Sequence, residues 1–267
     1  MSTTKLAQPA SENILEMRDI RVEFSTGRGR GRRKIVALND VSLSVPRGTI
    51  HGVVGESGSG KSTLARVLTA LERSFTGTVV FNGEELPVRR TKEQRRHIQM
   101  VFQDPYSSLD PRMTIRQSLA ELLRVHRIVE SRDVGRRCLD LMGQVQLPAR
   151  ALDSYPVSMS GGQRQRVAIA KALALEPSLL VADEAVSALD VSVQAGIVNL
   201  LADLRDELGL SVLFIAHDLA VVRNLCENVA VMYHGNIVED GDTESLFTEP
   251  RDQYTRTLLN SIPRIRY

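Results

Sequence analysis

The chain has 267 residues, 42% of them apolar and 25% charged, which leaves room for one or two domains with a sizeable core. Those proportions exclude the disordered, collagen-like and disulfide-scaffold classes. With 34 basic against 32 acidic residues the net charge is +2, so composition gives no reason to expect nucleic acid or an anionic membrane as the main partner.

Residues 1–13, MSTTKLAQPASEN, carry one lysine and no apolar run, so they are read as a short disordered leader rather than a secretory signal. Leu15–Phe24 and Val36–Val45 alternate apolar and polar residues imperfectly, as two half-buried antiparallel strands do. Between them the stretch Ser25–Lys34 places Arg28, Arg30, Arg32, Arg33 and Lys34 among glycines; it can bury nothing and is expected to be a solvated loop. From Thr49 the pattern becomes strand, glycine-rich turn and helix, the opening of an α/β unit with a parallel sheet. Ile98–Phe102, Ser178–Asp183 and Ser211–Ala216 read as further strands of that parallel core. Residues 104–159 show no strand pattern but contain helical ones at Ile115–His126 and Arg132–Met142, predicting an inserted helical subdomain. Helices are predicted at Gly161–Leu175, ending before Pro177, and at Val191–Leu208, ended by Gly209. One short helical candidate follows Arg251. Cys138 and Cys226, with no CxxC or histidine spacing near them, read as small core residues in a reducing cytoplasm. The longest apolar runs, such as Val212–Ala216, are about five residues against the roughly 20 needed to span a bilayer, so the chain is not expected to cross a membrane.

Chemistry concentrates first at Gly55-Glu56-Ser57-Gly58-Ser59-Gly60-Lys61-Ser62, a match to GxxxxGK[ST] lying after a strand and before a helix. The glycines let backbone N–H groups face phosphate oxygens, and the helix beginning near Lys61 adds its positive end to the same anion site. Lys61 is expected to neutralise β and γ phosphates, Ser62 to ligate Mg²⁺, and Thr63 to belong to the same cradle. Leu179–Ala182 form an apolar strand that delivers Asp183 to its C-terminal end as a second Mg²⁺ contact. Glu184, one residue on, is placed to orient or deprotonate the attacking water.

Ser160-Gly161-Gly162-Gln163, within MSGGQRQRVAIAKAL, resembles the signature sequence of the ABC ATPase family. In order with the other motifs it implies an ABC ATPase domain over residues 14–263 with a tail at 264–267. The implied fold is an α/β P-loop NTPase core with a mostly parallel sheet, an antiparallel β entry subdomain and the helical insertion. The resemblance implies that the signature binds the γ-phosphate of ATP held by a second ABC ATPase subunit, so that each site is split between two chains. Gln103, 103 − 61 = 42 residues beyond Lys61, resembles the Q-loop glutamine that contacts Mg²⁺ and water and senses the membrane partner. Ser187-Ala188-Leu189-Asp190 resembles the D-loop that crosses the dimer, with Asp190 counted among the nucleotide-site residues. His217 resembles the switch histidine that hydrogen-bonds the γ-phosphate. Phe24 resembles the adenine-stacking aromatic, with core packing an equal alternative; such a stack contributes about 1–3 kcal/mol elsewhere.

VFQDPYSSLDPRMTI, ADEAVSALDVSVQAG and PRDQYTRTLLNSIP resemble the ATPases of oligopeptide, dipeptide and nickel importers. The partners so implied are a second ATPase subunit, same or related, two transmembrane permeases met near Asp104–Leu109, and indirectly an extracytoplasmic solute-binding protein, with no nucleic acid. The place implied is the cytoplasmic face of the cell membrane, peripherally bound. Ala185 stands where many relatives have proline, and a cysteine-bearing C-terminal segment of longer members is absent, so no iron–sulfur site is expected. Peptide, nickel complex and oligosaccharide all remain candidate solutes. The alternative reading is an accessory ATPase of a soluble complex of the carbon–phosphorus lyase type.

Overall fold

The computed structural model describes residues 12–26, 33–187 and 190–261. Nearly all of the expected leader, the centre of the basic loop, Ala188 and Leu189 of the D-loop match, and the tail at 264–267 lie outside the described residues.

β1 (Asn13–Thr26) and β2 (Arg33–Pro46) form the antiparallel pair expected, with Leu15 opposite Val45 and Phe24 opposite Ile35. Two strands absent from the sequence reading, β4 (Thr76–Phe81) and β5 (Glu84–Glu85), extend it into a four-stranded sheet of order β2-β1-β4-β5. The second sheet has six strands: β3 (Ile50–Val54), β6 (Ile98–Val101), β7 (Leu179–Asp183), β8 (Ser211–Ile215), β9 (Asn228–Tyr233) and β10 (Asn236–Asp242), in the order β10-β9-β3-β8-β7-β6. It is parallel from β9 to β6, with β10 antiparallel at one edge. The fold class is therefore the α/β core with a mostly parallel sheet and antiparallel entry sheet that the sequence implied.

Side chains of the central strands divide between two cores by strict alternation, as the two-residue period of a strand requires. Val53, Leu179, Val181, Leu213, Ile215, Ala230 and Met232 face the antiparallel sheet and α1 (Lys61–Leu68). Ile50, Val54, Leu180, Ala182, Val212, Phe214, Val229 and Val231 face the opposite layer. That layer is built from α3 (Ile115–Val125), α4 (Val134–Gln144), α5 (Gly161–Leu173), α6 (Val191–Leu208) and α7 (Leu219–Leu225). Being covered on both faces is why these strands read as continuous apolar runs. Between β6 and β7 every regular element is helical, and both free cysteines are buried in this layer. α2 (Lys92–Arg96), α8 (Thr243–Thr248) and α9 (Gln253–Asn260) complete the described α-helices.

α1 is held at its far end by Arg90, whose guanidinium donates to the Leu68 carbonyl and, at 3.3 Å, to that of Val67. A cation at a helix C-terminus satisfies orphan carbonyls and complements the dipole. Burial pushes the Arg90 guanidinium down to about 10, which leaves it charged at neutral pH. Among the described residues no helix is long and apolar enough to cross a membrane.

Candidate active site

Strand register determines which residues meet. Val53 of β3 lies beside Ile215 of β8, which lies beside Asp183 of β7, and Val101 of β6 pairs with Ala182. The four carboxyl ends therefore stop at nearly one level, and the residues just past them, Gly55, Gln103, Glu184 and His217, emerge along one edge. Ligands of open α/β sheets bind at that edge.

The turn from β3 to α1 needs its glycines. Gly55 (φ 146°), Gly58 (φ 80°) and Gly60 (φ 112°) occupy backbone conformations that L side chains rarely adopt. A Cβ on Gly55 would stand 2.1 Å from the Met232 carbonyl oxygen. Gly60 caps α1 without any side-chain hydrogen bond. The first-turn N–H groups of α1 thus keep their positive end open, whereas α2, α3 and α5 each close theirs with a capping box. An uncapped helix start behind a glycine turn is the arrangement that an anion can approach.

Lys61 is 5% exposed, and its ammonium donates to the carbonyls of Gly55 at 2.7 Å and Glu56 at 2.9 Å. Burial lowers its pKa, while Glu184 and Asp183 pull the other way, which places all three charges in one field. The Ser62 hydroxyl donates to Asp183 at 3.2 Å. Burial raises the Asp183 carboxyl above its ordinary value, as befits an anion folded away from solvent with too little positive charge beside it. A hydroxyl and a carboxylate side by side are hard oxygen donors that suit Mg²⁺, which takes few protein ligands and completes its shell with phosphate oxygens and water. Among the described residues there is no cluster of three His, Cys, Asp or Glu.

Glu184 has φ 48°, a left-handed conformation unusual for a residue with a side chain. Its N–H donates to the Ile215 carbonyl at 2.9 Å, and its own carbonyl accepts from the Ser187 N–H at 3.1 Å and hydroxyl at 2.9 Å. These bonds hold the conformation in place. Here it turns Glu184 into a small cleft shared with His217 and Ser187. Gln103 joins the same group, donating to the Ser187 hydroxyl at 3.1 Å. Ser187, named in the sequence only as the first residue of the D-loop match, is thus the link between Gln103 and Glu184.

Three expected site elements share no hydrogen bond with this cluster among the described residues. Ser160 caps α5, accepting from the Gln163 N–H at 3.3 Å, while its own N–H donates to the Gln163 side chain at 3.0 Å. Among the described residues no hydrogen bond joins residues 160–163 to residues 55–63. Asp190 caps α6 without a side-chain bond and is exposed. Phe24, 36% exposed, belongs to neither core and lies opposite Ile35, near the end of β1 that leads into β2.

Gly162 carries a packing constraint besides its place in the motif, because a Cβ there would lie 2.4 Å from Val193 Cγ1 on α6. Alanine in a helix is favoured over glycine by about 1 kcal/mol, but overpacking costs roughly 1–3 kcal/mol. Gly162→Ala is therefore expected to lower stability, and Val193→Ala to restore most of the loss in the double variant. Thermal unfolding of the four proteins of that cycle checks it; additive effects would show that the two side chains do not collide.

A profile of the family described as ABC transporter matches residues 38–187. A putative peptide import ATP-binding protein of Brucella abortus (strain 2308) is 47% identical over 98% of this chain and 80% of that protein. The oligopeptide transport ATP-binding protein OppF of Lactococcus lactis subsp. lactis (strain IL1403) is 41% identical over 94% of this chain and 81% of its own length. Among solved structures, cbiO1 from Clostridium perfringens, part of the ABC transporter complex cbiONQ, superposes with a TM-score of 0.80 at 26% identity. That match covers 96% of this chain and 98% of the other. The dimeric post-hydrolysis ATP-binding cassette MJ0796, bound to ADP and Pi, gives 0.74 at 28% identity over 86% and 98%.

Proposed function

Because the chain belongs to the ABC transporter family of ATP-hydrolysing proteins, we propose that it is the ATP-binding subunit of a peptide importer. It acts as one of a pair of ATPase subunits, the same or related, bound peripherally beneath two permeases at the cytoplasmic face of a membrane. The observation that carries this reading is the grouping of Lys61, Ser62, Asp183, Glu184, Gln103 and His217 along one sheet edge, with residues 160–163 on a separate helix start. A site assembled from both would take its second half from another chain. The peptide assignment is supported by the names of the Brucella and Lactococcus relatives, which also favour import over an accessory role in a soluble complex. Neither relative is named for nickel. A solute-binding protein outside the membrane would deliver the peptide to the permeases.

The chain's own groups supply most of the work by position and charge. The N–H groups of residues 58–63 and the Lys61 ammonium cradle the phosphates, and Phe24 is the aromatic that the family resemblance assigns to stacking on adenine. Ser62, Asp183 and Gln103 would hold Mg²⁺, which would supply neutralisation of phosphate charge. Glu184 orients the attacking water and takes its proton, and His217 lies across the same cleft to donate to the γ-phosphate. Residues 160–163 of the second subunit, with Asp190 and its neighbours at the crossing, close over that phosphate; hydrolysis opens the pair. Exposed Phe102, just before the turn at Pro105–Ser108, and Tyr106 within it offer the permeases a partly apolar contact joined to Gln103 by the chain.

Size-exclusion chromatography of Glu184→Gln with and without ATP and Mg²⁺ tests the paired mechanism. A shift to dimer with ATP alone among the conditions is expected. ATP-bound protein that stays monomeric would overturn pairing of identical chains and assign the second half to a related subunit. Failure to bind ATP would overturn the function.

A further inference from the structure

The tail segment that includes Asp252–Leu259 carries no role in the mechanism above, yet it reaches the nucleotide site. Asp252 caps α9 by accepting from the N–H groups of Tyr254 at 2.7 Å and Thr255 at 3.4 Å. Glu239 on β10 accepts from the N–H groups of Arg251 at 2.9 Å and Asp252 at 3.1 Å, which pins the start of the helix to the sheet. Thr255 is fully buried. So anchored, the helix presents Tyr254 to the mouth of the 55–62 loop. The Glu56 N–H donates to the Tyr254 hydroxyl at 3.1 Å, across 198 residues of sequence.

The ring is fixed as well as the hydroxyl. Tyr254 stacks on Tyr233 with centroids 4.0 Å apart and planes 28° apart. Tyr233 ends β9, and two residues later the Gly235 N–H donates to the Ser59 carbonyl at 2.9 Å on the same loop. The loop is therefore held from outside at two points by one aromatic pair and the turn that follows it.

The Glu56 N–H and the Gly55 carbonyl are the two ends of a single planar peptide group. Its carbonyl accepts from the Lys61 ammonium at 2.7 Å. Tyr254, the 55–56 peptide and Lys61 thus form a continuous hydrogen-bonded chain, in which a bond at one end polarises and orients the other. Burial raises the Tyr254 phenol above its ordinary value, so its oxygen stays a neutral acceptor through the physiological range.

We propose that Tyr254 is a positioning residue for nucleotide binding: through the 55–56 peptide it sets the phosphate loop and Lys61, and so ties the C-terminal helix to the nucleotide site. This rests on the reading of residues 55–62 as the ATP site. It predicts that the loop relaxes when the hydroxyl is removed, even though the ring and its stack on Tyr233 stay.

The test is Tyr254→Phe, read by equilibrium titration with ADP, steady-state ATP hydrolysis, and amide hydrogen exchange at Glu56. The expected result is ADP binding weakened about three- to tenfold, the worth of one hydrogen bond. KM for ATP should rise by a similar factor with kcat within about twofold, Glu56 should exchange faster, and the melting temperature should hold. Asp252→Ala, which loosens the helix start, should weaken ADP binding in the same direction. Unchanged ADP affinity in Tyr254→Phe beside a parent that binds ADP would overturn the proposal. A fall in melting temperature with no change in Glu56 exchange would overturn it too, as a general loss of packing. A parent protein that fails to bind ADP would instead remove the reading of the loop on which the proposal stands.

Discussion

Glu184→Gln is expected to reduce ATP turnover by at least about a hundredfold while leaving ATP affinity within a few-fold of the parent. General-base assistance is commonly worth about 10²–10⁴ in rate, and a hundredfold loss corresponds to about 2.7 kcal/mol of activation free energy. The separation of rate from affinity follows from where the residue sits. Glu184 contributes nothing by hydrogen bond to the 55–62 loop; its backbone is tied to β8 through Ile215 and to Ser187, and its side chain faces the cleft with His217. Glutamine keeps the volume and the φ of 48° that those bonds enforce, while it cannot take a proton. The change therefore removes one chemical capacity and little else. Phosphate release measured under saturating ATP, beside an equilibrium titration with ATP, checks both halves. Turnover near that of the parent would assign water activation to another group in the cleft, with His217 the first to examine.

The sheet edge was legible because its strands are buried on both faces. Leu179–Ala182 and Val212–Ala216 read as unbroken apolar runs, and the glycines at 55, 58 and 60 mark a loop with φ values that side chains avoid. β10 escaped detection for the opposite reason: its residues are half-buried or exposed along its whole length, so no alternation survives. β5 is two residues long and exposed, which leaves no pattern at all. β9 is an apolar run that could have been read as a strand from Val229–Met232 alone. The contacts that complete the site were illegible in principle. Ser187 bonds Gln103 across 84 residues, Arg90 caps α1 across 22, and Tyr254 reaches Glu56 across 198; periodicity holds no trace of such pairs. Motif spacing and the family resemblance together named the groups at the carboxyl ends of the strands, and neither could say how those groups are held.

Lys61→Met is expected to separate binding from stability more sharply than any other substitution at this site. A charged hydrogen bond to phosphate in a sheltered site is worth about 3 kcal/mol, so ATP and ADP affinity should fall by about a hundredfold or more. Stability should not follow. Burial depresses the Lys61 pKa below its ordinary value of 10.5, with Glu184 and Asp183 opposing but not reversing the shift. A lysine whose folded pKa lies below its unfolded one is held charged at a cost, so at neutral pH its ionisation subtracts from folding stability. That penalty is full below the depressed pKa and disappears as pH rises to the ordinary value. Methionine fills a similar volume with no charge to bury. The carbonyls of Gly55 and Glu56 lose an ammonium donor, and Asp183 loses a neighbouring cation, which offsets part of the gain. The net expectation is a melting temperature at or above that of the parent at neutral pH, with the advantage fading toward pH 10, together with loss of the stabilisation that ADP gives the parent. Thermal melts with and without ADP across pH, beside an ADP titration, decide it. A variant that binds ADP as the parent does would remove Lys61 from the phosphate site. One that loses binding because it unfolds would show that the ammonium is needed to hold the loop.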